Sequence, residues 1–351
     1  AVAVFPPPHR YFYPLDEAYN LGFTWRGNDF MDQVSGFGIG VRQDLQGDRR
    51  WVPWFNAPPG TKQELGIFWL ASRDRGDKLF DRVKAYTHGD RFPGVPGHKT
   101  FTSHYHIEHT TRLIEARDKG GKLGVPPALK KPDFVDVFKN SGIQIVHLAE
   151  FHNRLGRKRR DPVKALPLLK TLHEECARLS DDGFLLLPGE EPNVHLGGHW
   201  ISFFPRPVMW VLNRSKNKPF MEDHPRFGRV YHVGSPEDVL KLMEREGGLM
   251  WAAHPRIKSS TGYPDLYREK PFFKSDRYLG GAWKAMPADL SKPRLGWRVL
   301  DLLDDTSNWG ARKYIVGEVD IFKVDRTTEF YAHANINYLR LDHIPRFEEG
   351  W

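Results

Sequence analysis

Histidines and carboxylates stand at the ends of a series of short apolar runs in this sequence. Residues 101–106, 145–152 and 249–254 are three of these runs, and each ends in a histidine. A continuous apolar run of strand length is typical of a buried strand. Imidazole nitrogens and carboxylate oxygens are ligands of zinc and similar metals. Because α/β enzymes place their chemistry at the carboxyl ends of strands, the series predicts a metal centre.

The most informative single motif is His104-Tyr105-His106. Side chains two residues apart on a strand point to the same face, so both imidazoles are expected to reach one ion. His109 lies just beyond and is interpreted either as a substrate contact or as unrelated to the site. A His-x-His pair also occurs on ordinary polar surfaces, so this motif indicates a metal site only in combination with the other motifs.

Two further segments have the same form. Pro188-Gly189-Glu190-Glu191 follows an apolar run, and we expect one glutamate to bridge two metals while the other turns outward. His254 ends an apolar run and precedes Pro255, which would end a strand. A histidine satisfied within the core is the alternative interpretation of His254.

The order of these motifs resembles that of the PHP (polymerase and histidinol phosphatase) metallohydrolases, and most closely their carbaryl-hydrolase-like (CehA/McbA) branch. The motifs that carry the resemblance are His104-x-His106, Pro188-Gly189-Glu190-Glu191, Gly198-His199, Ala253-His254-Pro255 and Gly317-Glu318-Val319-Asp320. The resemblance covers about residues 99–345 and implies a distorted β/α barrel with a metal centre of two or three ions.

The resemblance also implies a ligand set when it is carried over position by position. The implied ligands are His104, His106, Glu150, His152, Glu191, His199, His254 and Asp320. The first histidine pair and Asp320 would hold one metal, Glu191 would bridge, and His199 with His254 would hold the second. Phe322 stands where the family often has a further ligand histidine, and a phenyl ring cannot ligate. A third metal is therefore left open.

The predicted function is a metal-dependent hydrolase that uses metal-activated water on an ester-type bond, in a phosphate ester, carboxyl ester, amide or carbamate. The cofactor would be a divalent metal, two ions of zinc, manganese or iron. Asp320 would accept the proton of the water, and His152, or His109 in its place, would pass a proton to the leaving group. Arg256 follows His254-Pro255, where a cation would favour an anionic substrate. An ordinary solvated loop is the alternative interpretation of this segment.

Two other function classes stay open on the sequence alone. One is a barrel that binds a ligand, such as a glycan, without turnover; Phe322 and the aromatic N-terminal region motivate it. The other is a metal-dependent lyase that uses the same site. Metal analysis and a panel of substrates would distinguish these classes.

Composition limits the partners. The chain has 351 residues, is 40% hydrophobic and carries 52 basic against 44 acidic residues. The one dense basic run, residues 154–160, comes without a zinc finger or an RNA-recognition signature, so we expect a small-molecule or saccharide-linked substrate and no nucleic acid. No stretch approaches the roughly 20 apolar residues of a membrane span.

The start of the chain at Ala1 shows no signal-peptide pattern. We interpret the chain as soluble, either a mature secreted or periplasmic form or a piece of a longer polypeptide. The sequence makes no prediction about the oligomeric state.

The chain divides by texture into two predicted regions. Residues 1–98 are dense in proline, glycine and aromatics and predict a small β-rich N-terminal region with a helix near residues 77–86. Residues 99–351 alternate strands and helices and predict the α/β barrel domain.

Local signals predict particular helices in the second region. Ser235-Pro236 is a typical helix start, and Gly247-Gly248 would end that helix. Helices are also expected over residues 162–179 and 297–303. Cys176, the only cysteine, lies in the first of these two and is expected to be buried.

Overall fold

The computed structural model describes fifteen separate stretches of the chain, and they include most of residues 68–351. They are residues 1–5, 22–26, 38–42, 68–86, 88–120, 124–150, 154–155, 158–159, 161–212, 214–255, 264–283, 297–322, 324, 331 and 334–351. His152 and Arg256, predicted to take part in the chemistry, lie outside the described residues. All statements about structure below refer to the described residues.

The strands follow one another along the described chain. In chain order they are β1 (Val2–Phe5), β2 (Gly22–Arg26), β3 (Gly38–Arg42), β4 (Phe68–Ala71), β5 (His98–Tyr105), β6 (Ile145–Leu148), β7 (Arg154–Leu155), β8 (Lys158–Arg159), β9 (Leu185–Leu187), β10 (Trp200–Phe203), β11 (Met209–Val211), β12 (Met221–His224), β13 (Gly228–His232), β14 (Leu249–Ala252), β15 (Tyr278–Trp283), β16 (Tyr314–Ile321) and β17 (Asn337–Arg340).

Helices lie between several of these strands. The α-helices of the described residues are α1 (Asp77–Lys84), α2 (His109–Gly120), α3 (Pro127–Lys130), α4 (Asp133–Asn140), α5 (Pro162–Leu179), α6 (Pro236–Glu246), α7 (Pro271–Lys274) and α8 (Trp297–Asn308). The helices predicted near residues 77–86 and over 162–179 are confirmed, and α8 is longer than predicted.

The main sheet has eight strands, in the order β10-β14-β15-β16-β5-β6-β9, with β17 also paired to β5. The strands from β14 to β9 pair in parallel, whereas β10 is antiparallel to β14 and β17 is antiparallel to β5. The chain is therefore a mixed α/β protein with an open, curled sheet. An isolated antiparallel bridge between Glu190, just beyond β9, and Ser202 in β10 links the two ends of this path.

Buried strands and helix faces form the core around this sheet. Every side chain of β6 and of β9 is buried, as expected for continuous apolar strands covered on both faces. Helix α5 packs on β9 and β11, and α8 packs on β15. Cys176 in α5 is fully buried, as predicted.

Helix α6 shows how local sequence sets an element. The Ser235 side chain accepts a hydrogen bond from the backbone N–H of Asp238 at 3.1 Å, and Pro236 occupies the first helical position. Gly247 adopts φ 67° and ends the helix. Both predicted ends of this helix are confirmed.

The N-terminal region contains strands, as its composition predicts. β1 pairs with β4, and β2 pairs with β3, both antiparallel. The segment that leads from this region into the main sheet is held to it by hydrogen bonds: Phe92 N–H donates to the Ser141 carbonyl at 2.9 Å, and the Tyr338 hydroxyl donates to the Pro93 carbonyl at 2.9 Å. β5 begins at His98, so a boundary after residue 98 would fall inside this strand. The division into two domains stays a prediction.

No helix in the part of the chain that the structure describes combines the length and the apolar character needed to cross a bilayer.

Candidate metal centre

Six predicted ligands converge at one edge of the main sheet, and five of them lie at or beyond the carboxyl ends of strands. His104 and His106 lie at and just beyond the end of β5, and Asp320 lies near the end of β16. Glu191 follows β9, and His254 follows β14. Because β5, β9, β14 and β16 run in the same direction in the sheet, their carboxyl ends share this edge.

Four of these side chains form a compact group of donor atoms. Nε2 of His104 lies 2.9 Å from Nε2 of His106 and 3.2 Å from Oε1 of Glu191. Oδ1 of Asp320 lies 3.5 Å from Nε2 of His104 and 3.6 Å from Nε2 of His106. Nε2 of His106 lies 3.4 Å from Oε2 of Glu191. Nitrogen and oxygen ligands about 2.0–2.1 Å from a tetrahedral zinc ion lie roughly 3.4 Å from one another, so this group can hold a metal ion.

A second set of donors adjoins the first through the same two carboxylates. Nε2 of His254 lies 3.1 Å from Oε1 of Glu191 and 3.5 Å from Oδ2 of Asp320. Nδ1 of His199 lies 2.9 Å from Oε1 of Glu191. His104, Glu191 and His254 also offer ligand atoms within 4.8 Å of one another. The two carboxylates thus lie between two groups of imidazoles, which is the arrangement that a bridging carboxylate requires.

His199 reaches this edge from the opposite end of a strand. It precedes β10, which is antiparallel to β14, and its carbonyl accepts a hydrogen bond from the N–H of Ala253 at 3.0 Å. The amino end of β10 therefore lies beside the carboxyl end of β14. His199 joins the site for this reason, and not because it ends a strand.

Glu318 is a buried carboxylate behind the cluster, and the sequence predicted no role for it. Its Oε2 lies 2.8 Å from Nδ1 of His104, and its Oε1 accepts a hydrogen bond from Nε1 of Trp251 at 2.8 Å. All three side chains are at most 2% exposed. A carboxylate on the second nitrogen of a metal-binding histidine fixes its tautomer and makes the first nitrogen more basic. A signal was present, since Glu318 lies two residues before Asp320 on the same strand.

Three of the converging residues have an unusual backbone conformation. His104, His254 and Asp320 adopt φ of 70°, 33° and 42°, in the left-handed region. The pairing register is irregular at the same places in β5 and β16. The two imidazoles of His104 and His106 therefore meet through a left-handed residue at the end of β5. The two imidazoles come together as predicted, although the backbone at His104 departs from the regular strand alternation on which that prediction was based.

Burial and charge together determine protonation in the cluster. Burial disfavours the charged forms of both His104 and Glu191, yet nearby carboxylates, Asp320 most strongly, raise the pKa of His104 well above its ordinary value. The charge of His104 and its hydrogen bond hold the pKa of Glu191 well below its ordinary value. Burial lowers the pKa of His254 to about 4. His254 is therefore neutral at physiological pH, which is the form that coordinates metals.

Gly189 allows the chain to pass from β9 to Glu191. A Cβ at this position would lie 2.1 Å from Nε2 of His147 and 2.4 Å from the carbonyl oxygen of Leu148. Both of these residues belong to β6, the neighbouring strand. Only glycine fits between β6 and the backbone that carries Glu191.

Glu190 and Glu150 lie near the cluster but have other contacts. Glu190 is 3% exposed, so the prediction that this glutamate turns outward was wrong; its backbone bridges to Glu150 and Ser202, which keeps it within the sheet. Oε1 of Glu150 accepts a hydrogen bond from the N–H of Ile107 at 3.0 Å, and burial raises the pKa of Glu150 to about 8. Neither side chain belongs to the described groups of donors that could share an ion. The structure does not bring the predicted ligand Glu150 into the cluster, because its carboxylate binds backbone.

Two other histidines of the sequence analysis are accounted for differently. Nε2 of His109 lies 2.9 Å from Oε2 of Glu175, and Arg178 donates to the same carboxylate at 2.6 Å. This contact joins α2 to α5, which favours a structural role for His109. His152 falls on residues that the structure does not describe, as does Arg256, so their predicted roles stay predictions.

Phe322 packs against the cluster from its outer side. Its ring centroid lies 4.4 Å from that of His106, with the ring planes 19° apart. Phe322 as a whole residue is nevertheless 57% exposed. A phenyl ring therefore covers one face of a candidate ligand and leaves its other side open to solvent.

His147 is a buried histidine that takes no part in the group of donors. It is fully buried in β6, and its Nδ1 lies 2.9 Å from the hydroxyl oxygen of Ser103. Burial, with a smaller contribution from the charge of His104, lowers the pKa of His147 to about 3. The unfolded chain would titrate this group near its ordinary pKa of about 6.5.

We expect acid to destabilise the fold through His147. Between about pH 6.5 and about pH 3 the unfolded state binds one more proton than the folded state, so the free energy of unfolding falls as pH falls, by up to about 1.4 kcal/mol per pH unit. Urea unfolding of the chelator-treated protein at several pH values measures this slope. His147→Gln should flatten it, whereas His343→Gln, at an exposed position, should leave it unchanged. An equal slope in wild type and His147→Gln would contradict the assignment.

Comparison with known proteins adds little to this geometry. No protein-family model matches the chain, and no curated protein matches it. Among solved structures the chain is similar to PsfC from Pseudomonas syringae, with 11% sequence identity and a TM-score of 0.32, over 69% of this chain and 91% of that chain. At that TM-score the likeness carries no argument about fold or function.

Proposed function

We propose that this chain is a metal-dependent hydrolase that cleaves an ester-type bond with metal-activated water. The observation that carries the proposal is the convergence of imidazole nitrogens and carboxylate oxygens from separate strands. His104, His106 and His254 all have a ring nitrogen within 3.4 Å of a Glu191 oxygen. Such a mixed nitrogen and oxygen set suits zinc, manganese and iron.

The residues of the cluster have different roles in the proposed reaction. A bound divalent ion would polarise the scissile bond and lower the pKa of water toward about 7. Glu191 and Asp320 provide negative charge between the two groups of imidazoles. Asp320 is 11% exposed, so its carboxylate can also meet the reacting water and accept its proton. Glu318 holds His104 in one orientation from behind.

We also propose that the sheet belongs to a distorted β/α barrel of the PHP type. The order of the sequence motifs supports this, as does the position of the candidate ligands at the carboxyl ends of parallel strands. The bridge between Glu190 and Ser202 supports it further, because it connects the two ends of the open sheet at the edge that carries the cluster. The carbaryl-hydrolase-like branch is the proposed subgroup.

Elemental analysis followed by a substrate panel tests the proposed function. Protein purified without chelator is expected to retain zinc, manganese or iron, up to two ions per chain. The loaded protein should hydrolyse at least one of an aryl phosphate, a carboxyl ester and a carbamate, with loss of turnover in chelator and recovery on addition of metal. Heavy-oxygen water should label the product, because hydrolysis incorporates water.

Three outcomes would contradict this function. Failure to bind any of the three metals would favour a ligand-binding protein. Bound metal without turnover of any substrate in the panel would contradict the proposed hydrolase activity. Turnover without incorporation of oxygen from water would favour a lyase.

A further inference from the structure

The ring of Phe322 stands at a fixed place beside the candidate metal centre. The backbone N–H of His106 donates to the carbonyl of Ile321 at 2.9 Å, which ties the end of β16 to the residue after β5. The Phe322 ring then stacks on the imidazole of His106. Its position relative to the cluster is therefore set by the sheet and by a ring contact together.

The exposure of this ring differs from that of the groups around it. The side chains of Asp320 and His199 are 11% and 23% exposed, whereas Phe322 as a whole residue is 57% exposed. A large apolar side chain left in water loses the free energy that burial would provide. A phenyl ring beside metal ligands has no coordinating atom, so what it offers to an incoming molecule is an apolar, aromatic surface.

We propose that Phe322 is a specificity-determining residue that contacts the substrate and favours an aryl group next to the scissile bond. Aromatic rings prefer offset-stacked or edge-to-face contacts at centroid distances of about 4.5–7 Å, beyond the gain from area alone. A ring on the substrate could take such a position on the open side of Phe322 while the reacting group meets the cluster. This inference rests on the proposed function, because it assumes that the reacting group lies at the metal centre.

Binding of two phosphonates to the metal-loaded protein tests this inference without turnover. Phenylphosphonate and methylphosphonate present the same anionic group to the metal and differ in the ring. Wild-type protein is expected to bind the phenyl compound about tenfold more tightly in titration calorimetry, and Phe322→Ala should reduce this preference to about threefold or less. Phe322→Leu, which keeps apolar area and loses the ring, should lie between them.

Two controls separate substrate contact from a structural role. Tyr314→Ala removes another exposed ring, 49% exposed, from the far end of the same strand and should leave the preference unchanged. Metal content of each variant, measured before any ligand is added, should match that of wild type. If Phe322→Ala instead loses metal and weakens both phosphonates equally, the ring only positions His106 and the inference is overturned.

The remaining outcomes distinguish the inference from the function beneath it. If metal-loaded wild-type protein binds the two phosphonates with equal affinity, the role of Phe322 is overturned. The proposed hydrolase function is not affected by that result. Absence of metal from wild-type protein overturns the proposed function and the inference with it. Where an ester class is turned over, Phe322→Ala should lower kcat/KM more for its aryl members than for its alkyl members.

Discussion

Glu191→Gln is expected to abolish tight metal binding and to lower kcat/KM by about 10³-fold or more, which corresponds to about 4 kcal/mol. The Glu191 carboxylate lies between imidazoles of both donor groups, with oxygens within 3.4 Å of His104, His106, His199 and His254. Glutamine keeps the shape of the side chain but removes its negative charge and one acceptor oxygen. An amide cannot bridge two cations as a carboxylate does.

Elemental analysis and turnover of the best substrate measure this effect. The matched control is Glu190→Gln, which makes the same chemical change at the preceding position, outside the described groups of donors. The control should keep its metal and most of its turnover. Retention of wild-type metal content and activity in Glu191→Gln would place the reaction elsewhere on the molecule.

Gly189→Ala is expected to lower the free energy of unfolding by about 3 kcal/mol or more. The added Cβ would lie 2.1 Å from a ring nitrogen of His147 and 2.4 Å from a backbone oxygen. The backbone oxygen cannot move without breaking the pairing of β6. The segment that carries Glu191 must therefore shift, which disturbs packing and metal binding together.

Urea unfolding of the metal-free protein measures the stability, and elemental analysis measures the site. Gly94→Ala is the matched control, since a Cβ there meets nothing within 4 Å. The control should unfold at the wild-type midpoint. A wild-type midpoint for Gly189→Ala would mean that the close approach of this backbone to β6 does not exist.

The sequence predicts the elements whose ends are determined by nearby residues. Helix α6 is an example, because Ser235, Pro236 and Gly247 act on the backbone next to them. The apolar runs also place β6, β9 and β14 correctly, since a continuous run of strand length fits a covered sheet. These signals need no knowledge of distant contacts.

The convergence of the site follows partly from the same reasoning. Placing ligands at the carboxyl ends of parallel strands brings together Glu191, His254 and Asp320 before any coordinates are known. His199 needs the antiparallel direction of β10, and strand direction cannot be read from an apolar run. The order of the candidate ligands along the sequence therefore predicts the site better than the position of each ligand on its strand does.

Glu318 and Glu150 show where the sequence fails. Glu318 contacts His104 and Trp251, which are 214 and 67 positions away from it along the chain. Its role therefore depends on the tertiary fold. Glu150 looks like a ligand because it follows an apolar strand, but its carboxylate meets the N–H of Ile107. A carboxylate at a strand end can serve the backbone or a metal, and the two uses share one sequence pattern.

The left-handed residues at the edge of the sheet have a consequence for how this protein evolves. A non-glycine residue in that region lowers the stability of the fold by about 1–3 kcal/mol. His104, His254 and Asp320 all have this conformation. Glycine would relieve the cost at any of the three positions but would delete a donor atom. For the proposed hydrolase this would be a stability–activity trade-off, in which selection for turnover would retain residues that destabilise the metal-free fold. Cations that bind only the native state would compensate, so metal supply would govern how much folded protein a cell maintains.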